Sequence, residues 1–163
     1  MNAREALKVA IDGAEMIVTS YLEDLSDADL LVRPVAGANH IAWQLGHLIK
    51  SEHQLMEGAY PGKMPPLPAG FAEKYTKETS TIDDPNAFHK KAEFLKLYSE
   101  QRAGTKTLLD KVTDSDLDKP GPEAFRAYCP TIAALFALQG SHWLMHAGQW
   151  AVIRRKLGRP PLF

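Results

Sequence analysis

The sequence predicts an all-α fold, a four-helix bundle with a long crossover connection between the second and third helices. Apolar residues recur at helical spacing in four long segments, and no segment is convincing as a β-strand. With 163 residues and a hydrophobic fraction of 45%, the chain is long enough to enclose a core of its own. We therefore expect residues 1–163 to form a single helical domain.

The first two helices are read from their periodicity and their flanking residues. The first is predicted to run roughly from Ala3 to Glu23, where apolar residues follow at every third or fourth position. Asn39 is expected to cap the second helix, because a short polar side chain can accept a hydrogen bond from the first turn. This helix is predicted to continue to about Glu57 and to stop at Gly58.

The third and fourth helices are predicted from the same two kinds of signal, their periodicity and their flanking residues. The third is predicted from about Asn86 to Val112, after the sequence D-D-P. The fourth is predicted to follow Pro130, with Thr131 as its cap. Basic residues in its last turn, then Gly158 and two prolines, mark its end.

The connection between the second and third helices is unusually long. It has about 27 residues, whereas most connections in helical bundles have ~2–8 residues. Phe71 and Tyr75 are expected to anchor it to the core. Long connections often carry function, so we also consider that it covers a binding site.

Two short segments resemble each other. L-S-D-A-D-L (Leu25–Leu30) and V-T-D-S-D-L (Val112–Leu117) each lie between a long helix and a proline-containing segment. Each then leads to a helix that bears histidines. The chain is therefore either two helix pairs that dock together or a bundle with a chance similarity.

Composition excludes several classes of function. The chain has 19 basic and 20 acidic residues, so it lacks the positive charge typical of proteins that bind nucleic acids or anionic membranes. A single cysteine, Cys129, allows no internal disulfide and fits a reducing compartment. No stretch is apolar enough for a membrane span, and the first residues are charged where a signal peptide would be apolar. We therefore expect a cytoplasmic protein.

The sequence S-H-W-L-M-H places His142 and His146 one helical turn apart. At 100° per residue they lie about 40° apart, on the apolar stripe of the fourth helix. A buried imidazole without a hydrogen-bond partner costs ~1–3 kcal/mol, and a divalent metal ion would satisfy one nitrogen of each ring. Two core or interface histidines bonded to water or to a hydroxyl are the alternative. The pair lacks the glutamate of H-E-x-x-H, which excludes a zinc protease of that type.

Periodicity does not by itself identify a third ligand. On the second helix His47 lies beside Trp43, away from the apolar centre of the helix. His53 is expected to be exposed. His40 and His89 lie near predicted helix starts, so His47 is only one of several candidates.

Two longer motifs resemble those of a known family. N-H-I-A-W-Q-L-G-H-L (39–48) and H-W-L-M-H-A-G-Q-W-A-V-I-R-R-K-L-G (142–158) are similar to motifs of the DinB superfamily, and the similarity in helix order extends over most of the chain. Members are small four-helix proteins, expected to be metalloenzymes. The resemblance implies a divalent metal held by one histidine of the second helix and two of the last. By position these are His47, His142 and His146.

The resemblance also suggests a reaction. Some relatives use low-molecular-weight thiols as cosubstrates in transferase or isomerase reactions, and many relatives have no known reaction. We therefore expect a metal-dependent enzyme, with a thiol-dependent S-transferase acting on electrophilic small molecules as the first hypothesis. A metal-dependent hydrolase and a non-catalytic, dimeric metal-binding protein are the alternatives. Three imidazole nitrogens suit Zn, Ni or Fe, and a homodimer is expected from the family and from the aromatic helices.

Two polar residues are weak candidates for a catalytic role. Gln149 lies one turn beyond His146 and is positioned to orient a substrate or to bond across the core. Glu52 lies on the apolar stripe of the second helix, where it is either a buried general base or, more in keeping with its position near the helix end, a surface residue whose stem packs on the core. Trp43, Trp143 and Trp150 are expected to line a pocket or to pack in the core or at a dimer interface.

Overall fold

Six α-helices and four 3₁₀ turns form the fold, and no β-strand is present, which confirms the all-α prediction. The structure is a computed structural model that describes residues 1–163. None of its helices combines the length and the apolar character needed to cross a membrane. The helices are α1 (Ala3–Leu22), α2 (Ile41–Ala59), α3 (Phe71–Lys74), α4 (Lys91–Lys111), α5 (Asp114–Leu117) and α6 (Ile132–Lys156).

The four long helices pack side by side as a bundle. Helix α1 packs mainly against α6, and α2 packs against both α4 and α6. The two helices that carry the histidine motifs, α2 and α6, are therefore direct neighbours. This neighbourhood is what allows residues about 100 positions apart in the sequence to share one site.

Several helix ends lie where the sequence predicts them. Helix α1 matches its predicted range to within one residue at its C-terminal end. Helix α6 begins after Thr131, whose side chain accepts a hydrogen bond from the Ala134 amide at 3.2 Å. Gly158 follows the end of α6 with a φ of 71°, a left-handed conformation that favours glycine.

Both predicted ends of α2 are wrong. The cap is His40 rather than Asn39, because the unprotonated Nδ1 of His40 accepts a hydrogen bond from the Trp43 amide at 3.1 Å. Gly58 does not stop the helix, which continues to Ala59. A Cβ atom at Gly58 would lie 2.8 Å from the ring of Phe125, so this glycine permits close packing instead.

The third long helix also begins later in the sequence than predicted. Helix α4 begins at Lys91 rather than near Asn86, because Pro85–Ala87 forms a separate 3₁₀ turn. Asp84 caps that turn by accepting a hydrogen bond from the Asn86 amide at 2.9 Å. Phe88 then adopts extended backbone and is buried in the core, which separates the turn from α4.

The long connection between α2 and α4 lies along α2. Phe71 and Tyr75 are fully buried, which confirms their predicted role as anchors. The Tyr75 ring lies so close to α2 that a Cβ atom at Gly46 would come within 2.2 Å of it. Lys50 donates a hydrogen bond to the Tyr75 carbonyl at 2.9 Å, which fixes the connection to the side of α2 next to His47.

The core has two apolar clusters with a polar layer between them. The cluster nearer the histidines includes Trp143 and Trp150, and the other includes Cys129. Along α2, α4 and α6, the residues between the clusters are buried and polar. These residues are Glu52, Gln101, Arg102, Thr105 and Gln139.

The two similar segments noted in the sequence share one pair of hydrogen bonds, although the first leads into a 3₁₀ turn (Asp29–Leu31) and the second into α5. In the first, Ser26 and Asp29 each accept a hydrogen bond from the backbone amide of the other. In the second, Thr113 and Asp116 form the same reciprocal pair. Their similarity is therefore also a similarity of turn structure.

Candidate metal centre

Three histidines meet where α2 packs against α6. The ring centroid of His47 lies 5.3 Å from that of His142 and 5.5 Å from that of His146, and the latter two are 5.1 Å apart. One nitrogen of each ring lies within 4.8 Å of the others. A metal ion with metal–nitrogen distances of about 2.0–2.1 Å holds its nitrogens about 3 Å apart. Small side-chain rotations are therefore enough to gather the three nitrogens around a divalent ion.

The structure brings His47 into this cluster although its helical position does not favour it. Periodicity identifies the side of α2 that faces the centre of the bundle. The neighbouring flank of α2 is also covered, since the His47 ring contacts the rings of both histidines of α6. His47 and His142 are half-buried and His146 is buried.

Trp43 forms an aromatic wall beside the cluster. Its ring stacks on the His47 ring at a centroid distance of 5.1 Å and an interplanar angle of 5°. The indole Nε1 donates hydrogen bonds to the carbonyl of Thr76 at 3.0 Å and to the hydroxyl of Thr79 at 3.1 Å. The long connection thus reaches the cluster through Trp43.

All three rings are held in the neutral form. Burial, followed by the nearby His142 and Lys50, lowers the pKa of His47 to about 4. Burial, followed by His142 and His47, lowers the pKa of His146 to about 4. Burial also lowers the pKa of His142. Neutral imidazole is the form that binds a metal, so the cluster is prepared for an ion at neutral pH.

Most ring nitrogens of the cluster have no partner within the chain. Neither nitrogen of His47 or His142 forms a hydrogen bond, whereas Nδ1 of His146 lies 2.8 Å from Oε1 of Gln44. Neutral imidazole nitrogens without a partner in the chain keep a lone pair available for an ion. The donor set therefore fits a divalent metal.

No fourth ligand is available nearby. No cysteine, aspartate or glutamate joins the three histidines. Cys129 is buried in the more distant apolar cluster, where burial raises the pKa of its thiol. Structural zinc sites usually have four protein ligands, so this arrangement leaves coordination positions open.

Glu52 lies in the polar layer of the core, and the expectation of a surface residue is wrong. Its side chain is 2% exposed. Its carboxylate accepts hydrogen bonds from Thr105 at 2.7 Å and from the indole of Trp143 at 2.9 Å, and lies 3.1 Å from the Arg102 guanidinium. Burial raises the pKa of Glu52, and Arg102 opposes that rise. Both carboxylate oxygens are thus engaged by core groups rather than by the histidines.

Gln149 lies at the exposed edge of the cluster, one turn after His146. Its Oε1 accepts a hydrogen bond from Nε2 of Gln44 at 3.2 Å. Trp143 and Trp150 are buried and donate to Glu52 and Gln44, so they pack in the core rather than line a pocket.

Gln44 is the residue of the site that the sequence analysis missed. It is fully buried, and its amide joins α2 to the histidine motif of α6. The available signal was a polar residue among the apolar residues of α2, one turn before His47.

The other histidines have separate partners. His40 caps α2, His53 contacts the Gln101 side chain at 3.0 Å, and His89 contacts the Tyr75 hydroxyl at 2.6 Å. None of the five main surface cavities is lined by a histidine of the cluster.

Comparison with known families agrees with this geometry. The sequence model of the DinB superfamily matches residues 10–150, which is most of the chain. No curated protein and no solved structure matches the chain. With its helical bundle, its cluster of three histidines and this match, the chain belongs to the DinB superfamily.

Proposed function

We propose that His47, His142 and His146 hold one divalent metal ion and that the chain is a metal-dependent enzyme. The main support is a set of three neutral imidazoles, each with a nitrogen within 4.8 Å of the others, without a fourth protein ligand. Open coordination positions are typical of catalytic metal sites. Zn, Ni and Fe all suit three nitrogen ligands.

The leading reaction is the transfer of a low-molecular-weight thiol to an electrophilic small molecule. His47, His142 and His146 would hold a divalent ion that, once bound, would lower the pKa of a thiol or water beside it. In the transfer, a sulfur–carbon bond forms, the bond from that carbon to its leaving group breaks, and the thiol proton passes to solvent. No carboxylate lies in the cluster to take that proton.

Residues around the cluster have complementary roles in this proposal. Trp43 covers one face of His47 and restricts the side from which a substrate approaches. Gln149, at the exposed edge, offers an amide to the incoming molecule. Hydrolysis by activated water is the second candidate, since the same open positions accept water as readily as thiol.

Metal binding is tested first. The protein, purified without a histidine tag, is expected to bind about one Zn²⁺, Ni²⁺ or Fe²⁺ ion per chain, measured by elemental analysis after dialysis. Replacing one ligand, as in His47→Ala, should reduce occupancy far below one. His53→Ala is the matched control, because His53 lies on the same helix but outside the cluster. Full occupancy in His47→Ala would falsify the three-histidine site.

The reaction is tested with the cobalt-substituted protein. Addition of a physiological thiol should produce a sulfur-to-cobalt charge-transfer band, and His142→Ala should lack it. If no thiol changes the spectrum at millimolar concentration, the transferase proposal is dropped. Turnover of ester or amide substrates would then favour the hydrolase, and lack of turnover the non-catalytic alternative.

A further inference from the structure

The side-chain amide of Gln44 has one hydrogen-bond partner that can only donate and another that can only accept. Oε1 accepts from Nε1 of Trp150 at 2.9 Å, and an indole nitrogen can only donate. Nε2 donates to the Asn39 carbonyl at 2.7 Å, and a carbonyl oxygen can only accept. Together these contacts fix which end of the amide is oxygen and which is nitrogen.

The oxygen end of this amide faces His146. Nδ1 of His146 lies 2.8 Å from Gln44 Oε1, which has no proton to donate. Nδ1 must therefore carry the hydrogen and donate it to Gln44. A neutral imidazole carries a single N–H, so Nε2 of His146 keeps its lone pair.

We propose that Gln44 is a positioning residue that holds His146 in the Nδ1–H tautomer before any metal ion binds, so that Nε2 is the ligand atom. An unrestrained neutral histidine exchanges between two tautomers, and the hydrogen bond made by one nitrogen decides which nitrogen can bind a metal. Gln44 is fully buried and held by Trp150 and Asn39, so it cannot follow a change of tautomer without breaking other bonds. The effect on metal affinity rests on the proposed function, whereas the tautomer is a property of the metal-free chain.

The nitrogen end of the same amide orients Gln149. Because Gln44 Nε2 donates at 3.2 Å, the atom of Gln149 that faces it is the oxygen. The Gln149 NH₂ group is then left without a partner in the chain, at the exposed edge of the cluster. Gln44 thereby leaves a lone pair on His146 for a metal ion and a hydrogen-bond donor on Gln149 for a carboxylate or thiolate of a ligand.

The tautomer can be measured directly in the metal-free protein. Long-range ¹H–¹⁵N NMR at pH 7.5 distinguishes a protonated Nδ1 from a protonated Nε2. Wild type is expected to show His146 protonated at Nδ1 only. Gln44→Leu should give exchange between both tautomers, while Gln44→Glu, which keeps an acceptor oxygen, should retain Nδ1–H. Protonation at Nε2 in wild type would overturn the inference.

Zinc affinity, measured by competition with a chelator, gives the second readout. Gln44→Leu is expected to weaken Zn²⁺ binding about 10–100-fold, the usual effect of removing a group that orients a metal ligand. Gln139→Leu is the matched control, because Gln139 is a buried glutamine of α6 whose side chain bonds only within its own helix. It should change thermal stability but neither the tautomer nor the affinity.

Each outcome decides a separate question. Equal zinc affinity in Gln44→Leu and wild type would contradict the positioning role. A wild type that shows the Nδ1–H tautomer yet binds no metal would refute the proposed function and leave the tautomer assignment intact. If Gln44→Leu fails to fold, the wild-type tautomer still decides the assignment.

Discussion

Burial, more than any charged neighbour, keeps the histidines of the cluster neutral. It is the largest influence on the pKa of His47 and of His146, and both values fall to about 4 from 6.5. Below pH 6.5 the unfolded chain takes up protons that the metal-free folded chain does not. The contribution of these neutral rings to the free energy of unfolding is therefore fully present above pH 6.5, and it is lost as the pH falls toward 4.

This linkage predicts how acid affects the metal-free protein. The free energy of unfolding, measured with urea, should decrease between pH 7.5 and pH 5, by about 1 kcal/mol for each of His47 and His146, given their partial contact with solvent. The double variant His47→Ala/His146→Ala should show a weaker pH dependence, while His53→Ala should keep that of wild type. An unchanged slope in the double variant would contradict the pKa assignment.

Gly46 is the residue on which the position of the long connection depends. A methyl group there would lie 2.2 Å from the Tyr75 ring, so Tyr75 must move and the connection must shift with it. We expect Gly46→Ala to lower the free energy of unfolding by about 1–3 kcal/mol, the usual cost of overpacking, and to increase proteolysis within residues 60–90.

A second helical glycine provides the control for this substitution. Nothing lies within 4 Å of a Cβ atom at Gly148 in α6. Gly148→Ala should therefore stabilise the protein by about 0.5–1 kcal/mol, because alanine favours helix. Equal stability of Gly46→Ala and wild type would show that Tyr75 does not pack on α2 as described.

At the scale of the helices, the polar layer links α2, α4 and α6. Arg102 of α4 pairs with Glu52 of α2 and donates a hydrogen bond to the Gln139 carbonyl of α6 at 2.9 Å. Nε and Nη1 of Arg102 and the Tyr98 hydroxyl are buried without partners. We infer that the layer contributes little net stability and that its paired groups favour this alignment of α2, α4 and α6.

Removing one member of the ion pair should cost more than removing both. Arg102→Met leaves the buried Glu52 carboxylate without its cation, which should destabilise the fold by about 3–5 kcal/mol. Adding Glu52→Leu replaces the pair with apolar groups and should restore much of that loss, as measured by urea unfolding. If the double variant is less stable than Arg102→Met, Glu52 stabilises the fold even without its cation, which would contradict this expectation.

At the scale of the whole molecule, the expected homodimer stays a prediction. Apolar residues lie on the outward faces of α1 and α6, with Met16 54% and Met145 60% exposed. Val9 and Val152, each about two helical turns from these methionines on the same faces, are 65% and 46% exposed. Helices α1 and α6 pack against each other, so we expect these exposed apolar residues to form the contact surface for a second copy.

Sedimentation equilibrium tests this surface. Wild type is expected to be a dimer, and Met16→Glu/Met145→Glu should be a monomer, because two buried, unpaired carboxylates would oppose association. Ser99→Glu/Thr107→Glu adds the same charge to the exposed side of α4 and should remain a dimer. A monomeric wild type would refute the dimer, and a dimeric Met16→Glu/Met145→Glu variant would place the interface elsewhere.

Local features were predictable from the sequence because they depend on neighbours within one or two helical turns. The helical periodicity of α1, the Thr131 cap and the Gly158 terminator all belong to this class. The shared apolar stripe of His142 and His146 follows from their spacing alone. His47 was identified only through the family resemblance, since periodicity along α2 placed it on a flank.

What the sequence by itself determined is therefore the four long helices and the pair of histidines on α6. Only the tertiary structure decided which groups meet across helices: the Gln44 amide with His146, the Glu52 carboxylate with Arg102, and the α2 flank with α6. Periodicity indicates that a residue is buried, but it does not indicate which side chain of another helix that residue contacts. The partner is fixed by how the helices pack, and that packing determines which nitrogen of His146 is free to bind a metal ion.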